Sequence, residues 1–292
     1  PSYWTACKAL NALEITWRKD ASPQPDTDAY RRRLMASLDD KGLPVFESQA
    51  PGYGEARHLK VIEADYCTPL LAHAALEPMN CTVRVTEDRC EIWAPNQGVD
   101  LVLRTTMQRT GLAADRIHIH TPYLGGGFGR RFMTDYVEEA IEIAKAVPGK
   151  AVRLIWNREE DLRNDYFRPM TAARYRAEVS KDGALRSLSL KIAGEGPYGR
   201  HIPFLLKDPA LDESVFHGAV EIGYSFPKFS VNFVPVASPF PVGFWRSVGD
   251  SHTAFFKESF LDEIAAETQT GAVELRRGLL RDDSRMRDVL EA

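Results

Sequence analysis

Leu124-Gly125-Gly126-Gly127-Phe128-Gly129-Arg130-Arg131-Phe132 is the stretch from which the rest of the chain can be read. Three consecutive glycines lack Cβ atoms, so the backbone there can take φ > 0 and lie directly against another molecule. Residues 116–120 before it (RIHIH) alternate as a short strand does, and from Thr134 onward the pattern is helical. A glycine turn between strand and helix offers free N–H groups and a positive helix end to an anion such as phosphate. Arg130 and Arg131 add two permanent charges whose forks could take phosphate oxygens bidentately. The dinucleotide fingerprint itself is incomplete, because no third glycine follows at the required place.

The 292 residues are 44% hydrophobic and 27% charged, a globular composition with room for two domains. A net charge of −4 with scattered basic residues argues against nucleic acid as a partner. No run of apolar residues is long enough for a transmembrane helix. The chain starts at Pro1 inside a helical pattern and stops inside another, so it reads as a piece of a longer polypeptide. Its compartment, bacterial periplasm or cytoplasm, is therefore left open. The four cysteines, Cys7, Cys67, Cys81 and Cys90, form no CxxC motif, and no histidine pair has ligand spacing. Zinc and iron–sulfur clusters are not expected in this chain. Cys81 and Cys90 flank a hairpin whose turn at Glu87-Asp88 puts Cys90 opposite Val85, a register that does not favour a disulfide.

The expected fold class is α+β. Residues 1–58 read as helix-rich, with helices at 3–13 and 28–38, a proline-containing linker at 21–26, and Gly42 as a helix-ending glycine. The loop at 49–55 (QAPGYGE) is the expected boundary, with a larger domain over 59–292. That domain should hold a strand from Leu59, the hairpin at 81–94, and a helix at 98–110 with Val99, Val102, Leu103 and Met107 on one face. The helix at 134–147 presents Val137, Ala140, Ile141, Ala144 and Val147. A strand at 152–156, a hairpin turning at Asp182-Gly183, short strands within 220–245, and helices at 255–267 and 272–280 complete the reading.

Four stretches carry more chemistry than structure requires: HAALEPMN (73–80), WAPNQ (93–97), the glycine loop, and GFWRSVG (243–249). His73 and Glu77, four apart, would share a helix face and pair, most simply as a structural contact. Gln97 could meet an oxo group or a pterin with either end of its amide, or simply cap a helix. Arg246, in an aromatic and apolar string, needs a carboxylate or a bound anion if buried.

Together with NREEDLRNDYFRP (157–169), these motifs in this order resemble the large molybdenum-binding subunit of the xanthine oxidase family, in its isoquinoline 1-oxidoreductase beta-subunit and membrane aldehyde dehydrogenase branch. The resemblance is dense from about Leu59 onward; 3–17 resemble, more loosely, the end of that family's α/β hammerhead domain. It implies a molybdopterin-binding fold, with molybdenum–molybdopterin cytosine dinucleotide as cofactor. It implies hydroxylation of an N-heterocycle or oxidation of an aldehyde, with water as the oxygen source. Gln97 would lie near the metal's ligands, and Gly126, Gly127, Phe128 and Gly129, with Arg130, would bring backbone amides to the cofactor. Arg246 would stabilise negative charge in the substrate pocket. The implied partners are the remainder of the large subunit, a small [2Fe–2S] subunit, a small-molecule substrate and a cytochrome c acceptor. Xanthine-type relatives continue the glycine loop with Lys-Glu; Arg131-Phe132 stands here, which disfavours a purine substrate. The family's base, a glutamate near the far C-terminus, has no counterpart before Ala292, so these residues by themselves are expected to be inactive and to hold cofactor weakly. The alternative is a non-catalytic phosphate- or nucleotide-binding module or scaffold built on the glycine loop.

Overall fold

The computed structural model describes residues 2–18, 24–54, 59–220, 223–282 and 284–292. Residues 21–23 of the expected linker and Glu55 of the expected boundary loop lie outside them. In chain order the elements are α1 (Tyr3–Asn11), α2 (Thr27–Ser37), β1 (Leu43–Gln49), β2 (Lys60–Thr68), β3 (Asn80–Val85) and β4 (Cys90–Trp93). Then come α3 (Val99–Thr110), β5 (Ile117–His120), α4 (Asp135–Lys145), β6 (Ala151–Ile155), α5 (Arg158–Arg163), β7 (Thr171–Val179) and β8 (Leu185–Gly194). The chain continues with α6 (Pro197–His201), α7 (Glu213–Phe216), β9 (Lys228–Pro235), α8 (Asp250–Thr268), α9 (Ala272–Leu279) and α10 (Arg285–Glu291). By their contacts, the described residues fall into two compact units. One comprises 1–26 and 73–165, the other 27–72 and 166–292. Among the described residues no helix is long and apolar enough to cross a membrane.

The first unit is built on a four-stranded sheet in the order β5-β4-β3-β6, with β4 and β5 parallel and the other pairs antiparallel. Helix α4 covers it. Val137, Ala140, Ile141 and Ala144 of the expected face are fully buried against Cys81, Val83 and Ile92, while Val147 lies beyond the helix end and is exposed. On α3 only Val102 of the expected face is fully buried; Val99 and Met107 are exposed, and Thr105 and Thr106 take the inner positions. Thr106 is accommodated there because its hydroxyl donates to the Val102 carbonyl at 2.7 Å. The hairpin register pairs Val85 with Cys90, as the turn requires, and all four thiols are free.

The second unit is a five-stranded sheet, β1-β9-β8-β7-β2, antiparallel except for β8 beside β9. Alternate residues of β7 point to opposite faces. Ala173, Tyr175 and Ala177 share a core with Phe256, Phe260 and Ile264 of α8, whereas Ala172 packs with Tyr30 and Leu34 of α2. Strand β1 departs from the helix-rich reading of 1–58: LPVFESQ has no clean alternation, and it becomes a strand by pairing with β9. Gly42 serves that pairing rather than a helix end, since a Cβ there would lie 2.9 Å from Asn232 Cβ. Within 220–245 the described strand is the single β9, and α8 begins at Asp250, earlier than its apolar pattern suggests.

Three titratable groups report on these cores. Burial pushes the Cys81 thiol up to about 12 and the Cys90 thiol up to about 11. Both are fully buried, so native protein should leave Cys81 and Cys90 unmodified by a thiol reagent at pH 8, with reaction only on denaturation. Burial pushes His252 of α8 down to about 4, and its Nε2–H donates to the Val215 carbonyl at 2.7 Å. A histidine held neutral stabilises the fold above its unfolded pKa of about 6.5, and the contribution is lost as pH falls toward 4. Urea titrations from pH 7 down to 4.5 should show a loss on the order of 3 kcal/mol that His252→Gln largely abolishes.

Candidate functional site

The parallel strands β4 and β5 deliver the site. Trp93 pairs with His120 at their ends, and the two rings stack with centroids 4.9 Å apart. The segments that follow, 94–97 and 121–129, therefore leave the sheet side by side. The Ala94 amide donates to His120 O at 3.1 Å, and the Asn96 side-chain amide donates to Thr121 Oγ1 at 3.1 Å. Gln97 arrives beside the glycine loop for this reason, although α3 and β5 lie between them in sequence.

Gln97 is divided between two tasks. Its Oε1 accepts from Gly129 N at 3.1 Å and Arg131 N at 3.2 Å, which uses both lone pairs. Its Nε2 has no acceptor among the described residues, and the side chain is exposed. The capping role is not realised: Gly98 begins α3, and its amide is taken by Asn96 Oδ1.

Each glycine answers a separate constraint. A Cβ on Gly125 would meet Glu77 Cβ, and one on Gly127 would collide with Gln97 Oε1 and come 2.8 Å from its Cδ. Gly126 and Gly129 have φ of +101° and +110°, and between them Phe128 takes φ +58° with 44% of its surface exposed. The carbonyls of this run are held by the protein. Gly125 O accepts from Glu77 N (3.0 Å), Gly126 O from Arg131 Nε (2.7 Å) and Gly127 O from Arg130 N (2.9 Å). A trans peptide points its N–H opposite to its C=O. Tying those three carbonyls inward therefore turns the amides of Gly126, Gly127 and Phe128 the other way. Among the described residues those three amides have no acceptor.

The arginines are not available forks. Arg130 and Arg131 are each 1% exposed. Arg130 binds Asp135 bidentately at 2.8 and 2.6 Å, and its Nε lies 3.0 Å from Asp165. Arg131 donates to Gly126 O, to Glu77 O and to Glu77 Oε2, the last two at 2.8 Å. Burial pulls the Arg131 guanidinium below its usual value; it also pulls on Arg130, where Asp135 and Asp165 more than reverse it. The sequence reading, which aimed both forks at a phosphate, is corrected on this point: a strand–turn–helix pattern does not say which side of the turn the carboxylates occupy. The junction itself also differs, because a 3₁₀ turn at Arg130–Phe132 separates the glycines from α4. His73 and Glu77 do not pair on a helix either; the stretch is irregular, His73 Nδ1 lies 3.0 Å from Asp165, and Glu77 binds the loop. Sequence reasoning passed over Glu77 and Asp165 as loop partners. The available signal was two adjacent arginines in an apolar setting, which demand carboxylates from somewhere.

Gln97, Gly126, Gly127, Phe128, Gly129 and Arg130 thus come together in the first unit. Arg246 belongs to the second unit, exposed in the turn before α8, where Ser247 and Val248 take φ of +66° and +48°. The neighbouring Trp245 lies under the Arg168 guanidinium at 5.8 Å. Because the space beside Gly127 is filled by Gln97, Gly127→Ala should open the loop at a cost of about 1–3 kcal/mol. Exchange of the Gly129 and Arg131 amides, read by hydrogen–deuterium exchange, should accelerate about tenfold or more.

The chain has known relatives. Residues 47–279 match the molybdopterin cofactor-binding domain family. The chain is 26% identical over 292 residues to a membrane-bound aldehyde dehydrogenase (pyrroloquinoline-quinone) of Gluconacetobacter polyoxogenes, covering 97% of this chain and 38% of that protein. It is 28% identical over 287 residues to isoquinoline 1-oxidoreductase subunit beta of Brevundimonas diminuta, covering 93% and 36%. The chain therefore spans well under half the length of these curated relatives. Among solved structures, the aldehyde oxidoreductase from Desulfovibrio gigas superposes with a TM-score of 0.67 at 21% identity, over 85% of this chain and 29% of that one, a likeness of fold. Since the matched span takes in most of both units and the whole of the glycine loop, the chain belongs to the molybdopterin cofactor-binding domain family.

Proposed function

We propose that this chain is the part of a molybdenum hydroxylase large subunit that cradles the molybdopterin, in an enzyme that hydroxylates an N-heterocycle or oxidises an aldehyde with water as the oxygen source. The carrying observation is the donor-only character of the loop. Among the described residues, three successive amides and the Gln97 Nε2 lack acceptors, and the carbonyls of Gly125, Gly126 and Gly127 are already taken. Such a surface suits a group rich in acceptor atoms, as an oxo- and sulfur-liganded metal on a phosphorylated pterin is. The two relatives, by their names an aldehyde dehydrogenase and an isoquinoline oxidoreductase, supply the two substrate classes.

In this reading Gln97, Gly126, Gly127, Phe128 and Gly129 hold the cofactor, and Arg130 supports it from behind the loop. The bound molybdenum centre supplies two-electron redox chemistry and acidifies water. The chain's own contribution is fixed dipoles that need no reorganisation during turnover. Arg246 stabilises the negative charge that develops in the substrate pocket, a role in which one donor is worth roughly 3–4 kcal/mol of barrier. The remainder of the large subunit completes the pocket and supplies the base. A [2Fe–2S] subunit takes the electrons toward a cytochrome c, and the cofactor is the cytosine dinucleotide form.

Gln97→Glu separates ligand binding from scaffolding. The carboxylate keeps an acceptor for Gly129 and Arg131 but loses the free donor. In the full-length enzyme with its partner subunit, wild type should carry stoichiometric molybdenum and CMP-releasable pterin, and Gln97→Glu should lose most of both. Arg246→Ala should keep the metal while kcat with a redox dye falls about 10²–10³-fold. Full-length protein that binds free phosphate or a nucleotide but no molybdopterin would overturn the reading in favour of a binding module.

A further inference from the structure

We propose that Glu77 is the positioning residue that shapes this cradle, a role that rests, for its consequence, on the cofactor reading above. Glu77 lies in the irregular stretch before β3, and both its backbone and its carboxylate face the glycine loop. Its amide donates to Gly125 O at 3.0 Å, and its Oε2 accepts from Gly125 N at 2.9 Å, so one residue grips both polar groups of one glycine. The two backbones approach so closely that a side chain on Gly125 would overlap Glu77 Cβ. Oε2 also accepts from Arg131 Nη2 at 2.8 Å, and Oε1 accepts from Asn80 Nδ2 at 3.0 Å. The stretch is itself pinned: Arg158 donates to the carbonyls of Ala75 at 2.6 Å and Leu76 at 2.8 Å.

The geometry traces the orientation of two of the three amides without an acceptor back to this residue. The peptide joining Gly125 to Gly126 is oriented by Glu77 N, which turns the Gly126 N–H away from Glu77. The peptide joining Gly126 to Gly127 is oriented by Arg131 Nε, and among the described ion pairs the carboxylate of Arg131 is Glu77. Arg131 has no exposed side-chain surface, so it stays in place only with that counter-charge. An amide in place of the carboxylate keeps one oxygen for Gly125 N and Arg131 Nη2, sets an NH₂ donor against the Asn80 Nδ2 donor, and leaves the guanidinium without its ion. The third peptide, held by Arg130 N, is independent of Glu77.

The test uses the full-length enzyme with its partner, in the variants Glu77→Gln and Glu77→Asp. The aspartate keeps a charge near Arg131 but retracts it from Gly125. Three readouts are taken: hydrogen exchange of the 124–132 peptide, exchange of peptides from β3 and α4, and the half-life of molybdopterin release. Both variants should speed exchange at 124–132 about tenfold or more, with the glutamine the stronger, and shorten cofactor retention by a similar factor. β3 and α4 should keep wild-type protection, which a merely structural residue of the core would not allow. If Glu77→Gln fails to fold, Glu77→Asp decides alone. Wild-type exchange at 124–132, or acceleration spread evenly over β3 and α4, overturns the proposal. If the wild-type enzyme holds no molybdopterin, the cofactor reading fails, while the exchange result still decides whether Glu77 shapes the loop.

Discussion

A guanidinium that leaves water has to take its counter-charge with it, and two of them stand directly behind the glycine loop. Arg130 is satisfied by Asp135 and Asp165, Arg131 by Glu77. These carboxylates arrive from three separate stretches of the first unit: the start of α4, the chain after α5, and the segment before β3. The charges are thereby cancelled locally, and what remains is geometry. Fixed side chains and amides draw in the carbonyls of Gly125, Gly126 and Gly127, and planar peptides convert that into three amides turned the other way. The loop is shaped from behind.

This distinguishes it from a phosphate loop of the usual kind, in which a lysine or arginine faces the ligand. Here the groups left without an acceptor among the described residues are neutral donors: three backbone amides and one side-chain amide. Neutral dipoles held in place by a buried network attract an acceptor without trapping it as a salt, as the proposed cofactor reading requires. Gln97 serves both sides, its oxygen closing the loop and its nitrogen remaining free. Phe128, in a left-handed conformation and partly exposed, is the strained residue of the run; such conformations persist only where the surroundings over-determine them.

Much of the architecture was legible. The helix of α4 follows from apolar residues at helical spacing, and the Val85–Cys90 register follows from a two-residue turn. The family resemblance, carried by five short motifs in order, agrees with the match over residues 47–279. Strand β1 was hidden because its residues lack a period and acquire strand geometry from β9, which lies far along the chain at Lys228–Pro235. The inner face of α3 was misjudged for a related reason: Thr106 can be buried once its hydroxyl finds the Val102 carbonyl, a compensation that apolar periodicity does not register.

Residue types along the chain determined that there is a glycine loop between a strand and a helix, which residues flank it, and which family it serves. They did so because local propensity, turn chemistry and motif order act over short distances. Only the tertiary structure decided which way the loop faces. That choice depends on Glu77, Gln97 and Asp165 reaching Gly125, Gly129 and Arg130 across 32 to 48 positions of chain. The two arginines look like ligands in one dimension and prove to be scaffold in three, because a buried charge is assigned by the nearest carboxylate in space, and spatial neighbours are not written in sequence order.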